Sequence, residues 1–342
     1  MKFIAYTVKG LEQIAAGEIE NNIINSKIEE LGDKFVVFNA DIHDINLDKL
    51  KTIDDIGIVI LQLKKPKKLI AQDLVEEVIN LNLTETTAQI KKFRNLDNTF
   101  SITLSISSLR IKKLDLQNNL ATLITKKYSW EYTPLNHSNF DIRLFLNRKI
   151  GFVSVKLARE SLHKRKYKEY SSMGSLKPTV AAAMIFLLTD KREENVVDNF
   201  CGSGTILAEA FNLGLNIYGG DIELLNVLNT NKNLTNLSFK NSKNIKQLDA
   251  TKTNWPSNYF DLVASNLPWD KQVGVESITN LYIDSLKEYQ RILKPNASLC
   301  LLVHKPQILI KYAKKYFPNH KIQSTKISFT GQSPTIVLIK SF

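Results

Sequence analysis

Apolar and polar positions follow two regimes along this chain, with the change near residue 177. In the first regime, residues 3–8, 34–39 and 56–63 carry the pattern of strands, and 11–24 carries the spacing of an amphipathic helix. Lys64, Lys65, Lys67 and Lys68 around Pro66 then break the pattern, which marks a boundary near residue 66. Beyond it, 70–81 predicts a helix and 100–107 a strand. Leu114, Leu116, Leu120, Leu123 and Ile124 mark the apolar positions of a further helix. Residues 140–146 and 150–157 read as a hairpin around Asn147-Arg148-Lys149, and 161–170 as a basic, aromatic linker.

From Lys177 onward the pattern becomes repeated strand–helix units. Helix 178–188 precedes strand 195–200, followed by helix 205–213, strand 216–221 and helix 223–237. Strands 244–248 and 260–265 lead to helix 278–293, strand 297–303 and helix 306–317. Two closing strand runs, 320–330 and 335–339, flank the turn Gly331-Gln332-Ser333-Pro334. Such alternation predicts an α/β fold: a doubly wound parallel sheet covered by helices on both faces, closed by an antiparallel hairpin.

At 342 residues the chain is long enough for two or three domains, each with its own core. Lys and Arg number 46 against 34 Asp and Glu, a formal charge of +12, and a surplus of that size favours a polyanionic partner. No apolar run approaches the roughly 20 residues of a membrane span, and the first residues lack a signal-peptide pattern. The expected location is therefore the cytosol, with no membrane partner. Cys201 and Cys300 have neither CxxC spacing nor clustered His, so neither a disulfide framework nor a metal site is expected. His163 and His304 show no arrangement that suggests catalysis or metal binding.

Two motifs carry the chemistry. The first is Asp198-Asn199-Phe200-Cys201-Gly202-Ser203-Gly204-Thr205, which joins a strand to a helix where a doubly wound sheet binds its ligand. Glycines there let the backbone take positive φ and approach a ligand closely. About 20 residues on, Asp221 ends the next strand, where a carboxylate can accept both ribose hydroxyls. Asp249 follows the third strand, in place for an adenine amino group. A tight turn with helix-capping acids is the competing reading, but three acids at three successive strand ends argue for a nucleoside. The dinucleotide fingerprint would need Gly at Leu207, so a cofactor without pyrophosphate fits better.

The second motif, Asn266-Leu267-Pro268-Trp269, falls at the end of the fourth parallel strand. The amino nitrogen of a purine is a poor nucleophile because its lone pair is delocalised into the ring. A catalyst should accept hydrogen bonds from its N–H groups as that nitrogen pyramidalises. Asn266 offers an amide oxygen and Leu267 a backbone carbonyl. Pro268 rigidifies the turn, and Trp269 offers a face on which an extruded base can stack. An Asn-Pro turn with a core Trp is the purely structural alternative.

These motifs, with the segments before them, resemble the THUMP-domain class I RNA guanine-N2 methyltransferases, and the likeness runs over nearly the whole chain. Tyr6-Thr7-Val8-Lys9-Gly10-Leu11-Glu12 looks like the family's opening in an N-terminal ferredoxin-like domain. Phe140-Asp141-Ile142-Arg143-Leu144 and Gly151-Phe152-Val153-Ser154-Val155-Lys156-Leu157 resemble the end of a THUMP domain. Ser161-Leu162-His163-Lys164-Arg165-Lys166-Tyr167 looks like its linker. Gly174-Ser175-Leu176-Lys177-Pro178-Thr179-Val180-Ala181 matches the segment over the methionine end of the cofactor. The resemblance implies a ferredoxin-like domain at 1–66, a THUMP RNA-binding domain at 67–160, a linker at 161–176 and a Rossmann-like methyltransferase domain at 177–342.

It also implies S-adenosylmethionine as cofactor and S-adenosylhomocysteine as product. Thr179, Asp198, Phe200, Gly202, Ser203, Gly204, Thr205, Asp221, Ile222, Asp249, Ala250 and Asn266 would hold the cofactor. Asn266 through Trp269 would hold the target base. Leu267, in place of a second Pro, resembles the branch modifying guanosine 6 in the tRNA acceptor stem, so the expected partner is tRNA at its acceptor end and stem. Lys91, Lys92, Arg94, Lys126, Lys127, Lys164, Arg165, Lys166 and Lys271 would track phosphates. The alternatives are guanine-N2 methylation of ribosomal or small nuclear RNA or of tRNA guanosine 10, and an RNA-binding protein without turnover. A small activating protein is compatible with any of them. The chain departs from the family pattern twice: Asn199 replaces a usual Pro, and Asp270 replaces a usual Gly where RNA would approach.

Overall fold

The computed structural model describes residues 1–342 apart from 64–69, 108–110, 134–137, 173, 190, 270–274, 329–330 and 342, and at 275–276 the backbone alone. The chain divides into two compact units, residues 1–6 with 19–162 and residues 7–18 with 163–342.

The first unit holds β1 (Lys2–Tyr6), the end of α1 (Glu12–Asn22), β2 (Lys27–Gly32), β3 (Phe35–Asn39) and β4 (Asp55–Leu63). It continues with α2 (Ala71–Ile79), α3 (Leu83–Ile90), β5 (Thr99–Ile106), α4 (Lys113–Tyr128), β6 (Glu131–Tyr132), β7 (Phe140–Leu146) and β8 (Gly151–Lys156). All eight strands form one sheet in the order β2-β3-β1-β4-β8-β7-β5-β6. Its first four strands are antiparallel and have ferredoxin-like order. β4 then pairs antiparallel with β8, from Gly57 opposite Lys156 to Leu63 opposite Gly151. Residues 1–66 and 67–160, separated by sequence pattern, are thus joined edge to edge. The expected boundary at residue 66 lies outside the described residues. β2 and α3 are absent from the sequence reading because the run Lys-Ile-Glu-Glu-Leu-Gly is mostly polar and α3 is a short helix rich in Thr, a poor helix former.

At the start of β4 the buried Asp55 carboxylate accepts from Ser161 at 2.9 Å and faces Arg143 at 3.2 Å and Lys156 at 3.3 Å. The Arg143 guanidinium lies 4.7 Å over the Tyr6 ring. Removing one partner from such a buried set leaves an uncompensated charge, which typically costs about 3–5 kcal/mol.

The second unit contains α5 (Pro178–Leu188), β9 (Asn195–Asp198), α6 (Thr205–Asn212), β10 (Asn216–Asp221), α7 (Leu224–Thr235) and β11 (Ile245–Gln247). After these come β12 (Phe260–Asn266), α8 (Val275–Ile292), β13 (Leu293–Val303), α9 (Pro306–Tyr316), β14 (His320–Lys326) and β15 (Thr335–Ser341). The sheet order is β11-β10-β9-β12-β13-β15-β14, parallel through β13, with β15 antiparallel to both its neighbours. Strand order reverses between β9 and β12, which makes that crevice the switch point for ligand binding. α5 is apolar all round, and nine of its eleven residues are buried, as expected for a helix sunk in a core. Val8, Leu11 and Ile14 pack in the same core. Strand β9 stops at Asp198, two residues before its expected end, because Asp198 Oδ1 captures the Phe200 N–H at 3.0 Å and turns the chain.

Candidate active site

The motif residues converge at the C-terminal ends of β9, β10 and β12, around a cavity of about 770 Å³. Phe200, Gly202, Asp221, Ile222, Asp249 and Ala250 line one part of it, and Asn266 through Trp269 another. A smaller space of about 40 Å³ lies under Gly174, Ser175, Gly202, Ser203, Thr205 and Asn266. The sequence reading thus brings its two motifs to one place. Thr179 and Gly204 are the exceptions among the proposed cofactor residues: neither lines either space, and Thr179 is fully buried in the first turn of α5.

The glycine turn is held from several sides. Gly202 and Gly204 take φ of +53° and +78°, a region open to glycine at little cost. Gly202 N–H donates to Asp221 Oδ2 at 2.9 Å, and Gly202 O accepts from Thr230 Oγ1 at 2.8 Å. Asp221 Oδ1 accepts from Glu223 N–H and Asn226 Nδ2, each at 3.0 Å. A carboxylate has about four acceptor sites, so three protein donors leave room for a ribose hydroxyl. Asp249 Oδ1 holds Thr251 through its N–H at 2.8 Å and its hydroxyl at 2.7 Å.

Asp198 is almost wholly buried and accepts from Ser265 Oγ at 2.6 Å as well as from Phe200. Burial pushes its carboxyl up to about 7, the two hydrogen bonds pull it back, and nearby Asp221 adds to the rise. Its role here is to hold the turn and to tie β9 to β12. Both thiols are buried and pushed up by that burial, so neither Cys201 nor Cys300 is poised as a nucleophile.

On the other side, Leu267 N–H donates to Leu302 O at 3.1 Å and Tyr282 OH to Pro268 O at 3.3 Å, which fixes the tetrapeptide. Asn266 Oδ1 is buried and has no hydrogen-bond partner among the described residues. The Trp269 ring stacks on His304, centroids 4.3 Å apart and planes 18° from parallel. The sequence reading assigned His304 no role in the site; its contact with Trp269 joins the ends of two strands and has no local signature.

Further structural partners also escaped the sequence. Asn233, buried in α7, accepts from Glu169 N–H at 3.0 Å and Tyr170 N–H at 2.9 Å, and donates to Tyr170 O and Ser203 O. It ties the linker to the glycine turn. Ser175 and Ser203 hydroxyls meet at 2.9 Å. The one available signal was a polar residue on the inward face of an amphipathic helix.

The cationic residues divide. Lys91, Lys92, Lys126, Lys127, Lys164 and Lys166 are exposed. Lys127 nonetheless donates to Leu81 O at 3.1 Å, and Lys92 contacts His43 at 2.9 Å. Arg165 corrects the expectation of a free phosphate contact: its side chain is buried against Glu209 at 2.9 Å, and Tyr167 OH joins the same oxygen at 2.7 Å. Arg94 is likewise engaged, donating to Lys156 O and Ala158 O. Lys64, Lys65, Lys67, Lys68, Asp270 and Lys271 lie outside the described residues. Among the described residues, no group of His, Cys, Asp or Glu is arranged to hold a metal, and no helix is long and apolar enough to cross a membrane.

The switch-point cavity, the glycine turn, the strand-end acid Asp221 and the Asn-Leu-Pro-Trp rim form one site. Residues 165–333 match the family model described as UPF0020, RMKL-like methyltransferase domain. Over 183 residues the chain is 27% identical to human U6 snRNA (guanine-N(2))-methyltransferase THUMPD2, covering 53% of this chain and 35% of that protein. It is 25% identical over 235 residues to mouse tRNA (guanine(6)-N(2))-methyltransferase THUMP3, covering 64% of this chain and 45% of that one. The chain spans half or less of the length of these two curated relatives. In fold it is similar to TrmN from Thermus thermophilus, with TM-score 0.81, 19% identity and 100% and 99% of the two chains covered. SMU.472, solved as a complex with SAH, gives TM-score 0.75 at 17% identity over 100% and 98%. The resemblance to THUMP-type RNA methyltransferases read from the sequence is borne out.

Proposed function

We propose that this protein is an S-adenosylmethionine-dependent RNA guanine-N2 methyltransferase acting on tRNA, at guanosine 6 of the acceptor stem. The observation that carries the reading is Asn266 Oδ1, buried and unpartnered among the described residues, in the same cavity as Trp269, Asp221 and Ala250. Leaving a buried acceptor unpaired costs about 1–3 kcal/mol, which an amino N–H in the cavity would offset.

The residues present fit the cofactor. Positive-φ glycines open the turn, Asp221 retains acceptor capacity for a ribose, and Asp249 stands at the nucleoside side. When bound, S-adenosylmethionine supplies a methyl group on a sulfonium. Asn266 Oδ1 accepts a hydrogen bond from the guanine N2 amino group and so favours the pyramidal nitrogen that attacks. Trp269, backed by His304, stacks on the extruded base and excludes water from one face. Deprotonation needs no strong base, because the nitrogen becomes acidic once alkylated.

In this reading residues 67–160 are the THUMP RNA-binding module, with Lys91 and Lys126 along the phosphates, and Lys164 is a phosphate contact of the linker. Leu267 and the mouse THUMP3 relative support tRNA guanosine 6; the human THUMPD2 relative supports U6 small nuclear RNA as the second reading. The test supplies labelled S-adenosylmethionine and, in parallel, unmodified tRNA and U6 RNA, followed by nucleoside separation. Label in N2-methylguanosine from tRNA, mapping to position 6, is expected. Label only with U6 RNA favours the second reading, and label in neither defeats both.

A further inference from the structure

Asn199, the residue after Asp198 in the glycine turn, is 1% exposed and lines the 770 Å³ cavity. Its amide has a fixed orientation. Trp255 Nε1–H, which can only donate, lies 3.0 Å from Asn199 Oδ1, so that atom is the oxygen and the other is the NH2 group. Trp255 is itself immobilised, edge-on to Tyr218 and Phe260 and beneath the Lys246 ammonium at 4.0 Å. The Asn199 Nδ2 group is buried and has no hydrogen-bond partner among the described residues. Most buried polar groups are paired, and those that are not call for an explanation such as a ligand.

The same cavity therefore holds two buried side-chain atoms of opposite character that are unpartnered among the described residues, an acceptor on Asn266 and a donor on Asn199. Solvent alone would not demand this opposition, whereas a purine presents ring acceptors beside an amino group.

We propose that Asn199 is a specificity residue whose Nδ2 donates a hydrogen bond to a ring-nitrogen or carbonyl acceptor of a purine held in the cavity. The inference rests on the methyltransferase reading, and the purine has two sources there: the adenine of the cofactor and the target guanine. Asn199 shares its anchor, Trp255, with the loop that carries Asp249 and Ala250.

The test uses calorimetry with the full chain, S-adenosylhomocysteine and unmodified tRNA. Asn199→Asp, measured above the pH to which burial raises the neighbouring Asp198, keeps an oxygen for Trp255 and replaces the donor with an acceptor. A roughly five- to thirtyfold loss of affinity, the range of one or two kcal/mol, is expected in one arm while the melting temperature holds. Loss with S-adenosylhomocysteine identifies adenine; loss with tRNA alone identifies the target base. A second measurement leaves the protein untouched: the 1-, 3- and 7-deaza analogues of S-adenosylhomocysteine, bound to wild type and to Asn199→Leu. If adenine is the partner, one analogue binds weakly to wild type and equals its parent in the Leu variant. Unchanged affinity of Asn199→Asp in both arms overturns the proposal and leaves the methyltransferase reading standing. Wild-type protein that binds neither ligand removes that reading itself.

Discussion

Ser265 donates its hydroxyl to Asp198 across 2.6 Å, in the buried interior between β12 and β9. The bond couples two strand ends that carry different halves of the site. Asn266 directly follows the donor, and the glycine turn directly follows the acceptor. One short contact between neighbouring parallel strands thus links the glycine turn to Asn266.

That contact has a pH signature. An ordinary aspartate ionises near pH 4, whereas burial holds Asp198 up to about 7. Between these values the folded protein keeps a proton that the unfolded chain releases. Stability should therefore fall as pH rises from about 4 to about 7 and then level off. Melting temperatures across this window should show Asp198→Asn losing less than wild type as pH rises. Parallel curves would contradict the account.

Asn266→Ala should reduce kcat by on the order of 10²–10³, the usual effect of deleting a donor or acceptor aimed at developing charge. Affinity for S-adenosylhomocysteine, measured by calorimetry, should persist. Loss of both together would assign Asn266 to the cofactor rather than to the base.

Trp269→Ala should act on RNA instead. Stacking a base on an aromatic ring is worth about 1–3 kcal/mol, so the KM for tRNA should rise with little change in S-adenosylhomocysteine binding. His304→Ala should move the same parameter by less, because it removes only the support on which the indole rests.

The linker arginine and its neighbours should separate by readout. Arg165→Ala leaves Glu209 buried without its cation, a loss of about 3–5 kcal/mol seen as a lower melting temperature. Lys164→Ala should leave the melting temperature in place. It should instead weaken tRNA binding and reduce the salt slope by about 1 per lost phosphate contact. The opposite pattern would put Arg165 on RNA.

Gly204→Ala should distort the glycine turn. At φ +78° an added Cβ would come within 2.7 Å of Thr230 Cγ2, so both backbone and packing resist it. Weaker S-adenosylhomocysteine binding and a lower melting temperature are expected. Thr230→Ser removes that methyl and keeps the hydroxyl that donates to Gly202 O, so the double variant should recover part of the loss. A double variant no better than Gly204→Ala would exclude the clash as the cause.

The sequence by itself determined the alternating strand–helix units after residue 177, the glycine turn after β9 and the placement of Asn266 at the end of β12. Period, turn chemistry and strand-end acids are properties of neighbouring residues, and these survive without the rest of the chain. Only tertiary structure decided that β4 and β8 join residues 1–66 and 67–160 in one sheet, that Glu209 takes up Arg165, and that His304 supports Trp269. It also decided that Trp255 turns the Asn199 amide so that its NH2 group has no partner among the described residues. Each of these is a contact between residues far apart in the chain, and a hydrophobic period records which face of an element is buried, not which partner buries it.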